Sequence, residues 1–190
     1  VDSTERIGAV VDSDRTIIDL QSAQEALQGE GSPYLVSMLA LLDGGAPAIE
    51  LARKLVEAAI RARSRAHAPY SHFKVGAAAL DAELRQHRGC NIEISSYGMT
   101  LCAERVALFA ARAAGSAPIT ALAVIGPGHG SQPTPPCGAC RQVIWDLAGD
   151  IPVLMATLDG HVEIWRASEL LPAAFGPDHL DSASAPEETP

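Results

Sequence analysis

Helix-type and strand-type apolar patterns alternate through the middle of this 190-residue chain. Helical patterns are predicted at 46–66, at 101–114 with Thr100 as N-cap, and at 137–148. A short helix with Ser168 as N-cap is predicted near 167–175, and strands are predicted at 73–80, 88–95, 119–126 and 151–158. Helices and strands that alternate in this way bury their apolar faces by covering both sides of one sheet. The sequence therefore predicts an α/β protein, a three-layer helix–sheet–helix sandwich of roughly 130 residues.

The two ends of the chain differ in composition from this middle part. Residues 1–50 hold nine acidic and two basic residues, and their pattern predicts a β-hairpin at 6–20 followed by short helices at 22–27 and 32–42. The polar C-terminal residues are of the kind that favours disorder. We predict an N-terminal appendage of unknown function at 1–47, the main domain at 48–180 and a disordered tail at 181–190.

The charge distribution excludes several classes of protein. The net charge is −9, and the chain lacks the basic stripe that nucleic-acid binding requires. The one basic cluster, Arg53 to Arg65, is interpreted as a solvated helix face. No apolar run is long enough to span a membrane, and no basic leader with an apolar block is present, so we expect a cytoplasmic protein.

Three of the four cysteines stand at predicted helix starts. Cys102 lies near the beginning of one helix, and Cys137 and Cys140 form a C-x-x-C motif at the beginning of another. A helix N-terminus favours thiolates, and three thiolates bind tetrahedral zinc with one position open, the pattern of a catalytic site. Two alternatives stay open: a redox pair at the C-x-x-C motif, and a structural zinc with Cys90 or His129 as fourth ligand.

Glu104 is a carboxylate in the apolar segment TLCAERVALFAARA. Such a group is costly to bury unless it is paired, bound or used. Two residues after a zinc ligand, it can reach the open position, accept a proton from activated water and pass it on. Arg105 and Arg141 follow Cys102 and Cys137 at helical spacing, and we predict that each guanidinium lies beside a thiolate and offsets its negative charge.

Several sequence blocks in order resemble the cytidine deaminase family of the short, three-cysteine, homotetrameric type. They are APYSHFKVGAA, GCNIE, SYGMTLCAER, PCGACRQ and ELLPAAFGPDHL. The resemblance implies a mixed sheet in the sandwich, Zn²⁺ bound by Cys102, Cys137 and Cys140, and Glu104 as the proton shuttle. It also implies hydrolytic deamination of cytidine and deoxycytidine in pyrimidine salvage, with release of ammonia.

The same resemblance implies which residues contact the nucleoside. Asn91 and Glu93 would bind the ribose hydroxyls from one side of a strand, and Phe73 and Ala103 would contact the substrate. Tyr97 and Phe175 would reach the site of a neighbouring subunit, so that a homotetramer shares its active sites. Without the motif blocks, the two phenylalanines would be interpreted as core residues and the Asn91–Glu93 pair as an ordinary strand edge.

Three positions depart from the family pattern and leave alternatives open. Ile94 stands where a second Asn is usual after N-x-E, Pro135 stands where Ser is common, and His129 lies in an unusual GPGHG stretch. The alternatives are deamination of a modified aminopyrimidine nucleoside such as blasticidin S, and a non-catalytic, zinc-stabilised binding protein. The intact Glu104 argues against the binding protein, and the acidic balance argues against a polynucleotide substrate.

Overall fold

Seven strands form one sheet in the computed structural model, which describes residues 11–12, 15–19, 45–129 and 132–181. The strands are β1 (Val11–Asp12), β2 (Arg15–Asp19), β3 (Gly76–Asp81), β4 (Gln86–Cys90), β5 (Ile119–Ile125), β6 (Pro152–Ala156) and β7 (His161–Arg166). Their order across the sheet is β1-β2-β7-β6-β5-β3-β4. Among these described strands, β5 and β6 are the one parallel pair of neighbours, so the sheet is mixed, as the resemblance implied.

Helices cover both faces of this sheet. They are α1 (Gly45–Arg63), α2 (Ala103–Ala113), α3 (Gly138–Ala148), α4 (Ala167–Leu170) and α5 (Pro177–Asp181), with a 3₁₀ turn at Tyr97–Met99. The apolar face of α1 packs on one side of the sheet, and α2, α3 and α4 pack on the other. The predicted three-layer sandwich is confirmed. None of the helices in the described ranges is both long and apolar enough to cross a membrane.

The direction of the strands decides where α2 and α3 begin. Strand β3 is antiparallel to both β4 and β5, so β4 and β5 point the same way. Helix α2 follows β4 and α3 follows β5, and both helices lie on the same face. Their N-termini therefore meet beyond the carboxyl ends of the two strands, the place where ligands bind in open α/β sheets.

Two glycines allow the helices to lie unusually close to the sheet. A Cβ atom at Gly89 of β4 would stand 2.3 Å from Ala107 N and 2.4 Å from Ala103 O, both in α2. On the opposite face, a Cβ atom at Gly76 of β3 would stand 2.1 Å from Ala59 O in α1. Any side chain at Gly89 would push α2, which carries Glu104, away from the strand.

Two predicted helix starts were wrong because tertiary contacts use the backbone there. Helix α2 begins at Ala103 with Cys102 as N-cap, not at Leu101 with Thr100 as N-cap, since Leu101 exchanges backbone hydrogen bonds with Ile92. The N-cap of α4 is Arg166 rather than Ser168, whose N–H donates to the Asp150 carboxylate over 2.9 Å.

Strand β7 and helix α5 were missed from the sequence. The segment after β6 runs Thr157-Leu158-Asp159-Gly160 into β7, and Asp-Gly between alternating apolar residues is a strong hairpin signal. Within β7, Val162 and Ile164 are buried on the α1 side, as that alternation requires.

Strand β4 begins and ends earlier than the predicted range of 88–95, since it runs from Gln86 to Cys90 and ends before Asn91.

The N-terminal residues that the structure describes extend the sheet. Strands β1 and β2 pair antiparallel, which confirms the predicted hairpin, and β2 pairs with the edge of β7. The predicted helices at 22–27 and 32–42 and residues 182–190 of the predicted tail lie outside the described residues. Helix α5 ends at Asp181, the first residue of that predicted tail.

The basic cluster on α1 is a solvated helix face, as predicted. Arg53 pairs with Glu50 over 2.6 Å and with Glu57, and Arg61 lies 3.7 Å from Glu57. These side chains are partly or largely exposed, and the pairs follow i,i+3 and i,i+4 spacing.

A buried carboxylate closes the β3–β4 hairpin. Asp81 is fully buried and accepts hydrogen bonds from the backbone N–H groups of Glu83 and Arg85 and from the side chains of Arg85 and His87. Burial by itself would raise the pKa of this carboxyl, but the hydrogen bonds from His87 and Arg85 outweigh it and lower the pKa to about 2.

Replacing Asp81 by Asn is expected to lower the melting temperature at pH 7, and the loss should shrink in acid. The ionised carboxylate stabilises the fold above its unfolded-state pKa of about 3.9, and this contribution is lost as the pH falls through the folded value of about 2. Thermal unfolding of both proteins at pH 7, 4 and 3 measures the difference. The exposed Glu83→Gln is the control, and a gap that stays constant from pH 7 to 3 would contradict the role assigned to Asp81.

Candidate functional site

Three cysteine sulfurs lie together where α2 and α3 begin. Cys102 and Cys137 are the N-cap residues of the two helices, both with extended backbone, and Cys140 lies in the first turn of α3. The Cys102 and Cys137 sulfurs are 3.8 Å apart, those of Cys137 and Cys140 are 3.4 Å apart, and all three lie within 4.8 Å of one another. The predicted ligand residues are therefore brought to one point.

This arrangement fits zinc. Tetrahedral Zn²⁺ with Zn–S bonds of about 2.3 Å requires sulfur–sulfur distances of about 3.8 Å, close to those observed. In the described part of the chain, neither Cys90 nor His129 joins the group, so three ligands leave the fourth position open. The Cys102 sulfur lies as close to the sulfurs of the C-x-x-C motif as the ligands of one metal ion must lie. This favours a metal site over a redox pair.

The electrostatic surroundings favour a thiolate at Cys102, whereas the hydrogen bond with Cys102 and burial raise the pKa of Cys140. A hydrogen bond with Cys140 lowers the pKa of Cys102 to about 5, and Arg105 and Cys137 contribute in the same direction. The Arg105 guanidinium lies 3.8 Å from the Cys102 sulfur and is held by the Thr100 carbonyl over 2.9 Å. Arg105 therefore stands where the sequence placed it.

Arg141 has different partners from those the sequence suggested. Its guanidinium donates to the carbonyl of Pro136 over 2.9 Å and to that of Leu170 over 2.9 Å. It therefore ties α3 to the preceding loop and to α4, and these hydrogen bonds position Cys137 and Cys140 through the backbone rather than by contact with a sulfur.

Glu104 lies inside the protein, two residues after Cys102. It is the second residue of α2, between Ala103 and Arg105, and only 4% of its surface is exposed. Burial raises the pKa of its carboxyl to about 7. A carboxyl with a pKa near neutrality, beside a metal site with an open position, can both accept and donate protons.

Asn91 and Glu93 follow directly after β4 and are both buried, while Ile92 between them is exposed. The two side chains thus point to one side although the strand has ended. Asn91 accepts from Val75 N and donates to Phe73 O, each over 2.8 Å. Glu93 accepts from the backbone N–H of Tyr70 and from the hydroxyl of Ser71. Both residues therefore anchor the loop that carries Phe73.

The predicted aromatic contacts are exposed rather than buried in the core. Phe73, Tyr97 and Phe175 have between 43% and 58% of their surface exposed. The rings of Tyr97 and Tyr70 make an edge-to-face contact at 6.4 Å, and the ring of Phe175 stacks on His179 at 5.1 Å. Ala103 is fully buried, with its carbonyl against β4.

Comparison with known proteins identifies the family. The family model described as the cytidine and deoxycytidylate deaminase zinc-binding region matches residues 49–155, which is more than half of the chain. The chain belongs to this deaminase family. All three clustered cysteines and Glu104 fall within the matched region.

Individual relatives agree with that assignment. The cytidine deaminase of Halalkalibacterium halodurans is 45% identical over 128 residues, 67% of this chain and 96% of that protein. The cytidine deaminase of Sporosarcina psychrophila is 45% identical over 132 residues, 69% of this chain and 96% of that protein. The crystal structure of cytidine deaminase from Burkholderia pseudomallei has a TM-score of 0.62 and 48% identity, and the match covers 65% of this chain and 98% of that one. The deaminase-like sandwich is thereby confirmed.

The positions that depart from the deaminase pattern lie on the surface. Ile94 is exposed, and its N–H donates to the Thr100 hydroxyl over 3.2 Å. Pro135 is exposed and precedes the carbonyl that accepts from Arg141. His129 exchanges two backbone hydrogen bonds with Gln132 and is not part of the cysteine group.

Two residues of this deaminase site were missed from the sequence. Ser71 bonds to Glu93 and to the backbone of Phe73, and Thr100 holds Arg105 through its carbonyl. Ser71 lies within the block APYSHFKVGAA that carried the family resemblance. The aromatic residues near Ser71 in this block could have indicated a role at the site. The bond to Glu93 could not be predicted from the local sequence, because that residue is 22 positions away.

Proposed function

We propose that the protein is a zinc-dependent hydrolase that converts cytidine and deoxycytidine, with water, to uridine and deoxyuridine plus ammonia. The observation that carries this proposal is Glu104, buried in the first turn of α2 beside a three-thiol metal site. A structural metal site has no use for such a carboxylate, whereas hydrolytic deamination requires a proton carrier there. The family match and the named relatives support the same chemistry.

The residues divide the work of this reaction. Cys102, Cys137 and Cys140 would hold Zn²⁺, which when bound makes water a nucleophile near neutral pH. Water adds to C4 of the pyrimidine ring while Glu104 takes a proton from it and delivers that proton to N3. Glu104 then carries the remaining hydroxyl proton to the amino group, the C4–N bond breaks to release ammonia, and the C4 oxygen becomes the carbonyl of uridine. Arg105 offsets the negative charge of three thiolates, which would otherwise weaken the metal's electrophilic effect.

The hydrogen-bond inventory of Asn91 and Glu93 supports sugar binding. After its bonds to the loop, Asn91 keeps one amide N–H and one acceptor site, and Glu93 keeps acceptor capacity on Oε1. A donor and an ionised acceptor on the same side match a hydroxyl group, which donates and accepts at once. Phe73, which is exposed and carried by the loop that these two residues anchor, would pack against the nucleoside. Ala103, the other predicted substrate contact, is fully buried and offers no exposed surface for it.

We further propose a homotetramer with shared active sites. The exposed rings of Tyr97 and Tyr70, which contact each other at 6.4 Å, support it, because contiguous exposed apolar surface marks interfaces. The ring of Phe175 is exposed as well. We also propose that residues 1–47 are an accessory segment to the main domain at 48–180, with the described strands β1 and β2 added to the edge of its sheet. Four free cysteines, three of them zinc ligands, support a reducing, cytoplasmic location. Light scattering coupled to gel filtration tests the assembly, and dilution to monomer should abolish activity.

Ultraviolet absorbance of zinc-loaded protein with a panel of amines tests the activity. The panel contains cytidine, deoxycytidine, cytosine, CMP and blasticidin S, and turnover of the first two is expected. If the protein turns over another amine but not cytidine, the mechanism stands, and the different substrate preference is attributed to Ile94 and the GPGHG stretch. If the protein binds zinc but turns over none of these amines, its assignment as an enzyme is wrong and the binding-protein alternative is favoured.

A further inference from the structure

The loop from Tyr70 to Val75 is connected to the sugar-binding pair through one hydroxyl group. The Ser71 hydroxyl donates to Glu93 Oε1 and accepts from Phe73 N over 3.0 Å. These directions are unambiguous, because an ionised carboxylate only accepts and a backbone N–H only donates. Ser71 therefore links the carboxylate proposed to bind the sugar with the backbone of the aromatic residue proposed to contact the nucleoside.

The hydrogen bonds of Glu93 show which of its oxygens is available to a ligand. Oε2 accepts two backbone bonds, from Tyr70 N over 2.9 Å and from Ser71 N over 3.2 Å. Among the described residues, Oε1 accepts a bond from the Ser71 hydroxyl alone and keeps a lone pair. The same hydroxyl is the strongest influence lowering the pKa of Glu93, ahead of the opposing effect of burial. Ser71 thus orients the free oxygen and favours its ionised form.

The backbone of the loop has one residue in a conformation that is uncommon for residues with a Cβ. His72, between Ser71 and Phe73, has a φ of 57°, in the left-handed region that disfavours residues with a Cβ. Such residues persist where the surroundings over-determine them, and they cluster at functional sites. Here the surroundings are the bonds of Ser71 to Glu93 on one side and of Phe73 O to Asn91 Nδ2 on the other.

We propose that Ser71 is a positioning residue for the nucleoside: its hydroxyl sets the Glu93 carboxylate and the Phe73 backbone in one fixed geometry before substrate arrives. The inference rests on the proposed deaminase function. Without the hydroxyl, Glu93 would keep its two backbone bonds but lose the constraint on Oε1, and the turn at His72 would lose a support.

Steady-state kinetics of Ser71→Ala test this role. We expect KM for cytidine to rise about tenfold, as the loss of one hydrogen bond to a charged group allows, with kcat within about twofold of wild type. Ser71→Thr keeps a hydroxyl and should recover most of the loss. Ser64→Ala is the matched control, because the Ser64 hydroxyl is exposed and donates to the backbone carbonyl of Arg61 in the last turn of α1.

Two further measurements separate positioning from a general loosening of the protein. With 2′,3′-dideoxycytidine, which has no sugar hydroxyls at these positions, Ser71→Ala should change KM much less than with cytidine. In a Glu93→Gln background, the same substitution should add little, because residues that act through one another are not additive. This cycle reports on Ser71 even if the single variant is less stable.

Each outcome has a defined meaning. If wild type is active and Ser71→Ala behaves like Ser64→Ala, or raises KM equally for cytidine and the dideoxynucleoside, the positioning role is overturned while the deaminase function stands. If wild type turns over neither cytidine nor deoxycytidine, the proposed function fails and the positioning role fails with it. Effects of Ser71→Ala and Glu93→Gln that simply add would also overturn the role.

Discussion

Replacing Glu104 by alanine is expected to lower kcat for cytidine by about 10³-fold, the usual contribution of a positioned acid–base group. The protein should keep its zinc and should melt at the same or a higher temperature. The physical reason is that only 4% of the Glu104 surface is exposed, and its neighbours in α2 include the fully buried Ala103 and Ala107. A carboxyl buried among such groups costs folding free energy, so its presence serves the reaction rather than the stability of the fold.

Three measurements on the same preparation check this prediction: absorbance-monitored turnover, zinc content by atomic absorption, and thermal unfolding. Glu83→Ala provides a control, since Glu83 lies in the exposed turn between β3 and β4. If Glu104→Ala retained near-normal turnover, the proton-carrier role would be wrong. Loss of turnover together with loss of zinc would instead show that Glu104 supports the metal site.

Replacing Cys140 by serine should abolish zinc binding and lower kcat/KM by about 10³-fold or more, since a catalytic metal contributes several kcal/mol to the transition state. Cys140 is completely buried, and its sulfur lies 3.4 Å from that of Cys137. A serine hydroxyl is a poor substitute for a thiolate ligand of zinc. The melting temperature should fall as well, because zinc bound only by the folded protein stabilises it.

Cys90→Ser is the matched control for this experiment. Cys90 ends strand β4 and stands outside the group of clustered sulfurs, so zinc content and activity should match wild type. Zinc content is measured after dialysis, and activity before and after zinc is added back. Equal losses from both substitutions would indicate that the metal site has been assigned to the wrong sulfurs.

Local patterns predicted the parts of the protein that local physics decides. Helices α1 and α3 and strand β5 were predicted because apolar spacing along one segment determines which face it buries. The hairpin of β6 and β7 could have been predicted in the same way, from Asp159-Gly160, but was missed. The start of α2 could not be predicted from local patterns, because Leu101 forms backbone hydrogen bonds with Ile92, nine residues earlier in the chain.

The partners of charged side chains were harder to predict, because they depend on distant segments. Helical spacing placed Arg141 beside Cys137, yet its guanidinium reaches Leu170, 29 residues away, in a different helix. Arg105 remained near Cys102 because its other partner, Thr100, is also local. A spacing rule holds only while no stronger acceptor from elsewhere in the fold competes.

The sequence by itself determined the chemistry: three cysteines at helix starts, a glutamate in an apolar helix, and the motif blocks that indicate zinc-dependent deamination. Tertiary structure decided how these groups are held. The common direction of β4 and β5 brings two helix N-termini to one metal site. The Ser71–Glu93 and Phe73–Asn91 bonds join segments about 20 residues apart into one substrate-binding loop. Ligand identity follows from residue type, whereas ligand geometry follows from which strands are neighbours, and no single segment carries that information.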